Sequence, residues 1–306
     1  MDKALAQASH MVTYAHQQPR QKPEVIPFFD EATNTASYVV ADPSSPCCVV
    51  IDSVLDFDNA SGRISTRSAD RIIEYVAQTK RQVVWQLETH AHADHLSAAP
   101  YLKERTGGSL GIGRGILEVQ SAFGEIFNSP GLARDGREFD KLFSDGDSFM
   151  IGELNCQVLH VPGHTPADAA YVIGDAVFVG DTMFMPDAGT ARADFPGGDA
   201  GQLYRSIRRL LSLPPQTRVF ICHDYKAKGR DAFAWETTVA DQRAGNIHVR
   251  DGIGEAEFVE MRTARDKTLS MPKLILPSVQ VNMLGGRLPE PEGNGRRYLK
   301  IPIDSL

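Results

Sequence analysis

The chain has 306 residues, 42% apolar and 23% charged, the proportions of an ordinary globular protein. Its formal net charge of -7, without a basic block, speaks against nucleic acid and anionic membrane as partners, and no apolar run approaches membrane-spanning length. Four cysteines (Cys47, Cys48, Cys156, Cys222) lack disulfide-framework spacing, and residues 1–22 lack an apolar signal core, so reduced, buried thiols and a cytoplasmic location are expected.

Residues 1–26 read as an arm or leading helix. Thr35 to Val40 and Cys47 to Ile51 are β-rich runs around Asp42-Pro43-Ser44-Ser45-Pro46, a hairpin signal, and Asp52 closes the second run. Ser68 to Gln78 has helical spacing of Ile72, Ile73 and Val76. Val83 to Leu87 reads as a buried strand, and Leu96 to Arg105 as a helix with Pro100 near its first turn. Ser109 to Ile112 is expected as a short strand and Gly115 to Phe127 as an amphipathic helix. Two more hairpins follow, 149–151 with 154–161 and 170–173 with 177–179, turning at Gly152-Glu153 and Gly174-Asp175. Helix Ala200 to Leu213, strand Arg218 to Cys222, helices Trp235 to Arg243 and Glu255 to Leu269, and a short helix near Pro277 to Leu284 complete the chain. The tail from Pro272 is rich in Pro and Gly. Hairpins alternating with helices, without a linker or repeat, suggest one domain of two packed sheets with helices outside and a C-terminal extension over about 231–306.

Between the 83–87 strand and its helix stands Thr89-His90-Ala91-His92-Ala93-Asp94-His95. Four ionisable side chains within six positions, at the C-terminal end of a strand, suit one or two adjacent metal positions better than a polar turn. Of nine histidines, five fall at strand ends: His90, His92, His95, His164 in Pro162-Gly163-His164-Thr165, and His223 in Cys222-His223-Asp224-Tyr225. Gly180-Asp181-Thr182 ends another strand. Alone, His164 or His223 reads as a hydrogen-bonded structural histidine; with the 90–95 cluster, a composite metal site is expected. His10, His16, His160 and His248 lack such context and read as ordinary, with His160 at most beneath the site.

These motifs, together with Arg192-Ala193-Asp194-Phe195 and the helix from Gln202, resemble the metallo-β-lactamase superfamily from about residue 24 to 285. Within it the chain is similar to the glyoxalase II-like branch, and most to the persulfide (sulfur) dioxygenases. The resemblance implies an α/β fold, a four-layer αββα sandwich. It also implies one Fe(II) per chain, held by His90, His164 and Asp181. The substrates would be glutathione persulfide, or a related thiol persulfide, and O₂, the products sulfite and thiol. His92, Asp94, His95 and His223 would then stand around the iron, with Asp94, His95 and His223 assisting catalysis. The seven donors of a two-zinc thioester hydrolase of the glyoxalase II type are also all present, and that reading stays open with zinc as the alternative metal. Arg192 offers a fork for a substrate carboxylate, against a surface pairing with Asp194, and Tyr225 is the second candidate for a substrate contact. Lys226, Lys228 and Arg230 could draw an anionic thiol or simply face solvent. A homo-oligomer is compatible with a sequence that does not fix oligomeric state.

Overall fold

The computed structural model describes residues 2–305. Its first sheet orders as β1-β2-β3-β6-β8-β9, from strands Glu24–Asp30 (β1), Thr35–Ala41 (β2), Cys47–Ile51 (β3), Gln82–Leu87 (β6), Ser109–Gly113 (β8) and Lys141–Phe143 (β9). A small sheet joins Val54–Asp58 (β4), Arg63–Ser65 (β5) and Leu96–Ser97 (β7). The second large sheet runs β10 to β15 in order: Ser148–Ile151, Leu154–His160, Ala169–Ile173, Ala176–Phe178, Arg218–Phe220 and Glu236–Thr238.

Strand alternation explains the layers. Tyr38, Val40, Val49 and Ile51 point inward and meet Val158, Tyr171, Phe178 and Phe220 from the second sheet. Their neighbours Val39, Ala41, Cys48 and Val50 point outward onto helices Arg67–Gln78 (α2) and Ala99–Thr106 (α3). On the far side Leu159, Val172, Val177 and Val219 face helices Lys3–Gln17 (α1) and Ala200–Leu210 (α5). The period of two therefore builds an αββα sandwich. The Phe178 ring stacks on Phe220 at 5.0 Å and meets Tyr38 edge-on at 5.3 Å. Truncating such a residue costs about 3–5 kcal/mol. Helix Ile116–Ile126 (α4) and helix Ile275–Asn282 (α8) close a further apolar cluster behind the 90–95 turn. Helices Val239–Gly245 (α6) and Glu255–Asp266 (α7) complete the set.

Several sequence expectations change. The expected arm holds α1, but its last three residues begin β1, whose seven residues pair along all of β2. Leu96–Ser97 extends as β7 against β4, and α3 begins only at Ala99, with Pro100 in its first turn. Trp235 to Arg243 splits: Glu236–Thr238 is the sheet edge, and Thr238 then caps α6 through its hydroxyl. Strands β4, β5 and β9 were not expected; at three to five residues they are too short for a periodic signal. Helix α8 starts at Ile275, which leaves Pro277 in its first turn, where no N–H is needed.

Candidate metal centre

All seven expected donors converge at one end of the sandwich. The 90–95 turn follows β6, His164 follows β11, Asp181 follows β13 and His223 follows β14. Because β3, β6 and β8 run parallel, as do β13 and β14, their carboxyl ends share one rim of the molecule. The two sheets approach closely there. Gly180 sits at φ +54, and a Cβ on it would meet the Thr89 hydroxyl at 2.5 Å, so glycine is required.

The donors form two sets. His90, His164 and Asp181 are one; His92, Asp94, His95 and His223 are the other; within each, the ligand atoms lie within 4.8 Å of one another. Asp181 spans both, with Oδ2 at 3.8 Å from His90 Nε2 and 3.6 Å from His164 Nε2, and Oδ1 at 3.3 Å from His223 Nε2. His90 Nε2, His92 Nδ1 and His95 Nε2 are buried without a hydrogen-bond partner among the described residues, while His223 Nε2 faces Asp94 Oδ2 at 3.2 Å and Asp181 Oδ1 at 3.3 Å. Buried, unpaired acceptors facing one another are costly, and a cation satisfies them together. The arrangement fits a metal.

The opposite ring nitrogens are anchored. His90 Nδ1 lies 3.0 Å from Thr89 Oγ1, His92 Nε2 3.0 Å from Asp52 Oδ1 and His95 Nδ1 3.2 Å from Asp94 Oδ2. His164 Nδ1 donates to the Arg192 carbonyl at 2.8 Å, and His223 Nδ1 to the Asn34 carbonyl at 3.2 Å. Such contacts fix ring orientation and leave the other nitrogen for a metal. Asp52, at φ +52, also accepts the Thr89 N–H and hydroxyl, both at 2.8 Å. Neither Asp52 nor Glu88, 3.2 Å from His92, stood out in the sequence. Asp52 has one available signal, a carboxylate closing a buried strand with no turn motif to explain it.

Burial, with neighbouring His92 and His164, pushes His90 well below the ordinary histidine pKa, as a ligand requires. Burial acts the same way on His92 and His223, but carboxylates outweigh it. Asp52 and Glu88 hold His92 well above the ordinary value, and Asp181 and Asp94 raise His223 to about 9. Burial would raise Asp94, yet His223 and His95 hold it well below the usual carboxylate range. Burial raises Asp168 to about 6; its carboxylate accepts the Thr165 N–H and hydroxyl and shapes the Pro-Gly-His-Thr turn.

The donors floor a cleft of about 1060 Å³ reached by Asp94, His164 and Asp181. Phe184, Phe195 and Tyr225 line its walls. Tyr225 is half-exposed and stacks on His223 at 6.0 Å. Arg192 also lines the cleft, but its fork is filled: Nε and Nη2 bind Asp194 at 2.6 and 2.8 Å, and Nη1 binds the Ser270 carbonyl at 2.8 Å. In this structure the arginine is paired with Asp194, and its side chain is largely buried at the cleft wall rather than on the surface. Lys226 and Lys228 face the cleft, whereas Arg230 bridges Asp224 and Asp187, joining the loop after His223 to the loop after Asp181. His160 is not beneath the site; its Nε2 bonds the Phe143 carbonyl at 3.1 Å. His248 is more than an ordinary histidine: its Nδ1 accepts the Thr190 N–H at 3.0 Å under the loop that carries Arg192.

Comparisons with known proteins agree with this geometry. The chain is 57% identical to a probable metallo-hydrolase of Burkholderia pseudomallei, over 91% of this chain and 98% of that one. It is 46% identical to glyoxylase B2 of Dictyostelium discoideum, over 94% and 98%. The crystal structure of ETHE1 from Myxococcus xanthus superposes with a TM-score of 0.68 at 31% identity, covering 86% of this chain and all of that one. The mitochondrial persulfide dioxygenase ETHE1 of Bos taurus is 27% identical over 82% of each chain. No helix among the described residues is long and apolar enough to cross a membrane. With the superfamily profile matching residues 31–223, more than half its length, the chain belongs to the metallo-beta-lactamase superfamily.

Proposed function

We propose that the protein is a persulfide dioxygenase with one iron held by His90, His164 and Asp181. The observation that carries this reading is that set itself: two imidazoles and one carboxylate gathered at the floor of an open cleft. Such a triad suits non-haem Fe(II), which when bound supplies redox chemistry and open positions for dioxygen and a sulfur ligand. Similarity to proteins named ETHE1 adds support.

The overall reaction consumes one thiol persulfide, one O₂ and one water, and yields thiol, sulfite and two protons released to solvent. The outer sulfur is oxidised, dioxygen is reduced, and the inner sulfur leaves as the protonated thiol. The chain's own groups divide this work. Phe184 and Phe195 wall the floor from bulk water. Asp94, one-fifth exposed at the cleft floor, orients the incoming persulfide or the water by accepting a hydrogen bond from it. His95 and His223 hold Asp94 in place, at 3.2 Å each. Tyr225 packs along the substrate stem at the mouth, and Lys226 and Lys228 attract its carboxylates. In protein purified without added metal, elemental analysis is expected to find about one iron per chain. Two zinc per chain in an active preparation refutes the reading.

A second reading is favoured by a specific observation. The set of His92, Asp94, His95 and His223 is also assembled, with Asp181 reaching both sets, as a two-zinc thioester hydrolase requires. The high-identity relatives named as a hydrolase and a glyoxylase support it. Anaerobic cleavage of S-lactoylglutathione by the zinc-loaded protein is its test.

A further inference from the structure

The superfamily match ends at residue 223, yet two anchors of the ligand-bearing backbone come from beyond it. We infer that α7 and α8 are a working part of the metal centre, with Asn282 and the Arg262–Asp266 pair as its positioning residues. The inference rests on reading the His/Asp floor as a metal site.

Asn282 ends α8 and is 4% exposed. Its side-chain amide is spent on the ligand turn and on the short strand β7 that follows it. Oδ1 accepts the Ser97 N–H at 2.8 Å, and Nδ2 donates to the carbonyls of His92 and His95, each at 2.8 Å. That turn lies between strands, so its buried carbonyls have no sheet partner, and leaving them unpaired is costly. The pattern also fixes the amide's orientation: flipped, its oxygen would face two carbonyl oxygens. One side chain thereby sets the backbone at two donors of the same set.

The second anchor holds the other set. Arg262 is 1% exposed and pairs through Nε with Asp266 Oδ1 at 2.8 Å. Its Nη1 donates to the Thr190 carbonyl at 3.1 Å, and Asp266 Oδ2 accepts the Ala193 N–H at 3.0 Å. Between these two points lies the Arg192 carbonyl that accepts the hydrogen bond of His164 Nδ1–H. The pair thus brackets the carbonyl that orients a ligand. Buried ion pairs contribute little to stability compared with apolar packing, so this one is better explained by where it holds the backbone.

The test measures zinc(II) affinity of the full chain by competition with a chromophoric chelator, beside the thermal unfolding of each variant. Asn282→Ala is expected to weaken zinc binding about 10- to 100-fold. The double variant Arg262→Met with Asp266→Leu replaces the pair by apolar side chains. It leaves the Thr190 carbonyl and the Ala193 N–H unpaired, so a lower unfolding temperature is expected, together with a loss of about tenfold in zinc affinity measured well below that temperature. A merely structural role predicts no such loss. Gln280→Ala is the control: the residue is on the same helix and 6% exposed, but it bonds the Lys300 backbone of the tail and not the ligand turn. Its zinc affinity is expected to match wild type. Should Asn282→Ala fail to fold, the double variant carries the test. Wild-type zinc affinity in the folded anchor variants overturns the inference. Absence of zinc and iron binding by the wild-type chain overturns the metal-site reading beneath it instead.

Discussion

The floor of the cleft and its rim are built differently. On the floor, His90, His92 and His95 each carry a buried, unpartnered nitrogen, and each histidine's other nitrogen is tied to backbone or to a neighbouring side chain. On the rim, Arg192 and Arg230 spend their charge on Asp194 and on Asp187 with Asp224. The floor gathers its donors around a common point, as a metal site does; the rim is organised around itself. Floor variants should therefore lose metal, and rim variants should change substrate affinity modestly.

The largest effect is expected on the floor. Asp181→Ala removes the one carboxylate shared by both sets and should abolish metal content and activity together. Retained metal in that variant breaks the contrast. Next comes Asp52→Ala, which strips the partner from His92 and from Thr89 N–H and Oγ1. Breaking a buried pair of this kind costs about 3–5 kcal/mol, read as a lower denaturant midpoint.

His248 sharpens the comparison, because it supports the rim from below. Burial, then Arg262 and Arg265, lowers its pKa to about 4, so the fold keeps it neutral. Its stabilising contribution is complete above the unfolded value of 6.5 and is lost as pH falls toward 4. Between pH 7 and pH 5 the wild type should lose about 2 kcal/mol from this residue, and His248→Gln should lose less over the same interval. Equal losses in both proteins would remove His248 from the account.

The smallest effect belongs to Arg192. Because Asp194 already fills its fork, Arg192→Ala should raise KM by about tenfold or less, with kcat and metal content unchanged, corresponding to about 1.4 kcal/mol or less. A hundredfold loss would mean that the arginine leaves Asp194 for a substrate carboxylate.

The contrast also governs what could be read from the sequence. The donors were legible because each lies in a short motif at a strand end, where chain proximity stands in for spatial proximity. The sandwich was legible for a similar reason: alternation in runs such as 35–40 and 154–161 is a local property. The residues that tune the floor were not. Asp52 lies 37 residues from Thr89, and Asn282 lies 190 from His92, so each is a single polar residue whose partner only folding reveals. The 235–243 segment misled because a three-residue edge strand runs directly into its helix. Arg192 was left open because the choice between Asp194 and a substrate is a matter of side-chain geometry.

The central claim is oxidation at the floor of the cleft, and the most direct measurement is oxygen uptake by the iron-loaded protein given glutathione and elemental sulfur, which together generate the persulfide. The account predicts consumption of O₂ with sulfite as product, abolished in Asp181→Ala and reduced about tenfold or less in Arg192→Ala at subsaturating substrate. No oxygen uptake, together with undiminished anaerobic hydrolysis of S-lactoylglutathione, would contradict it.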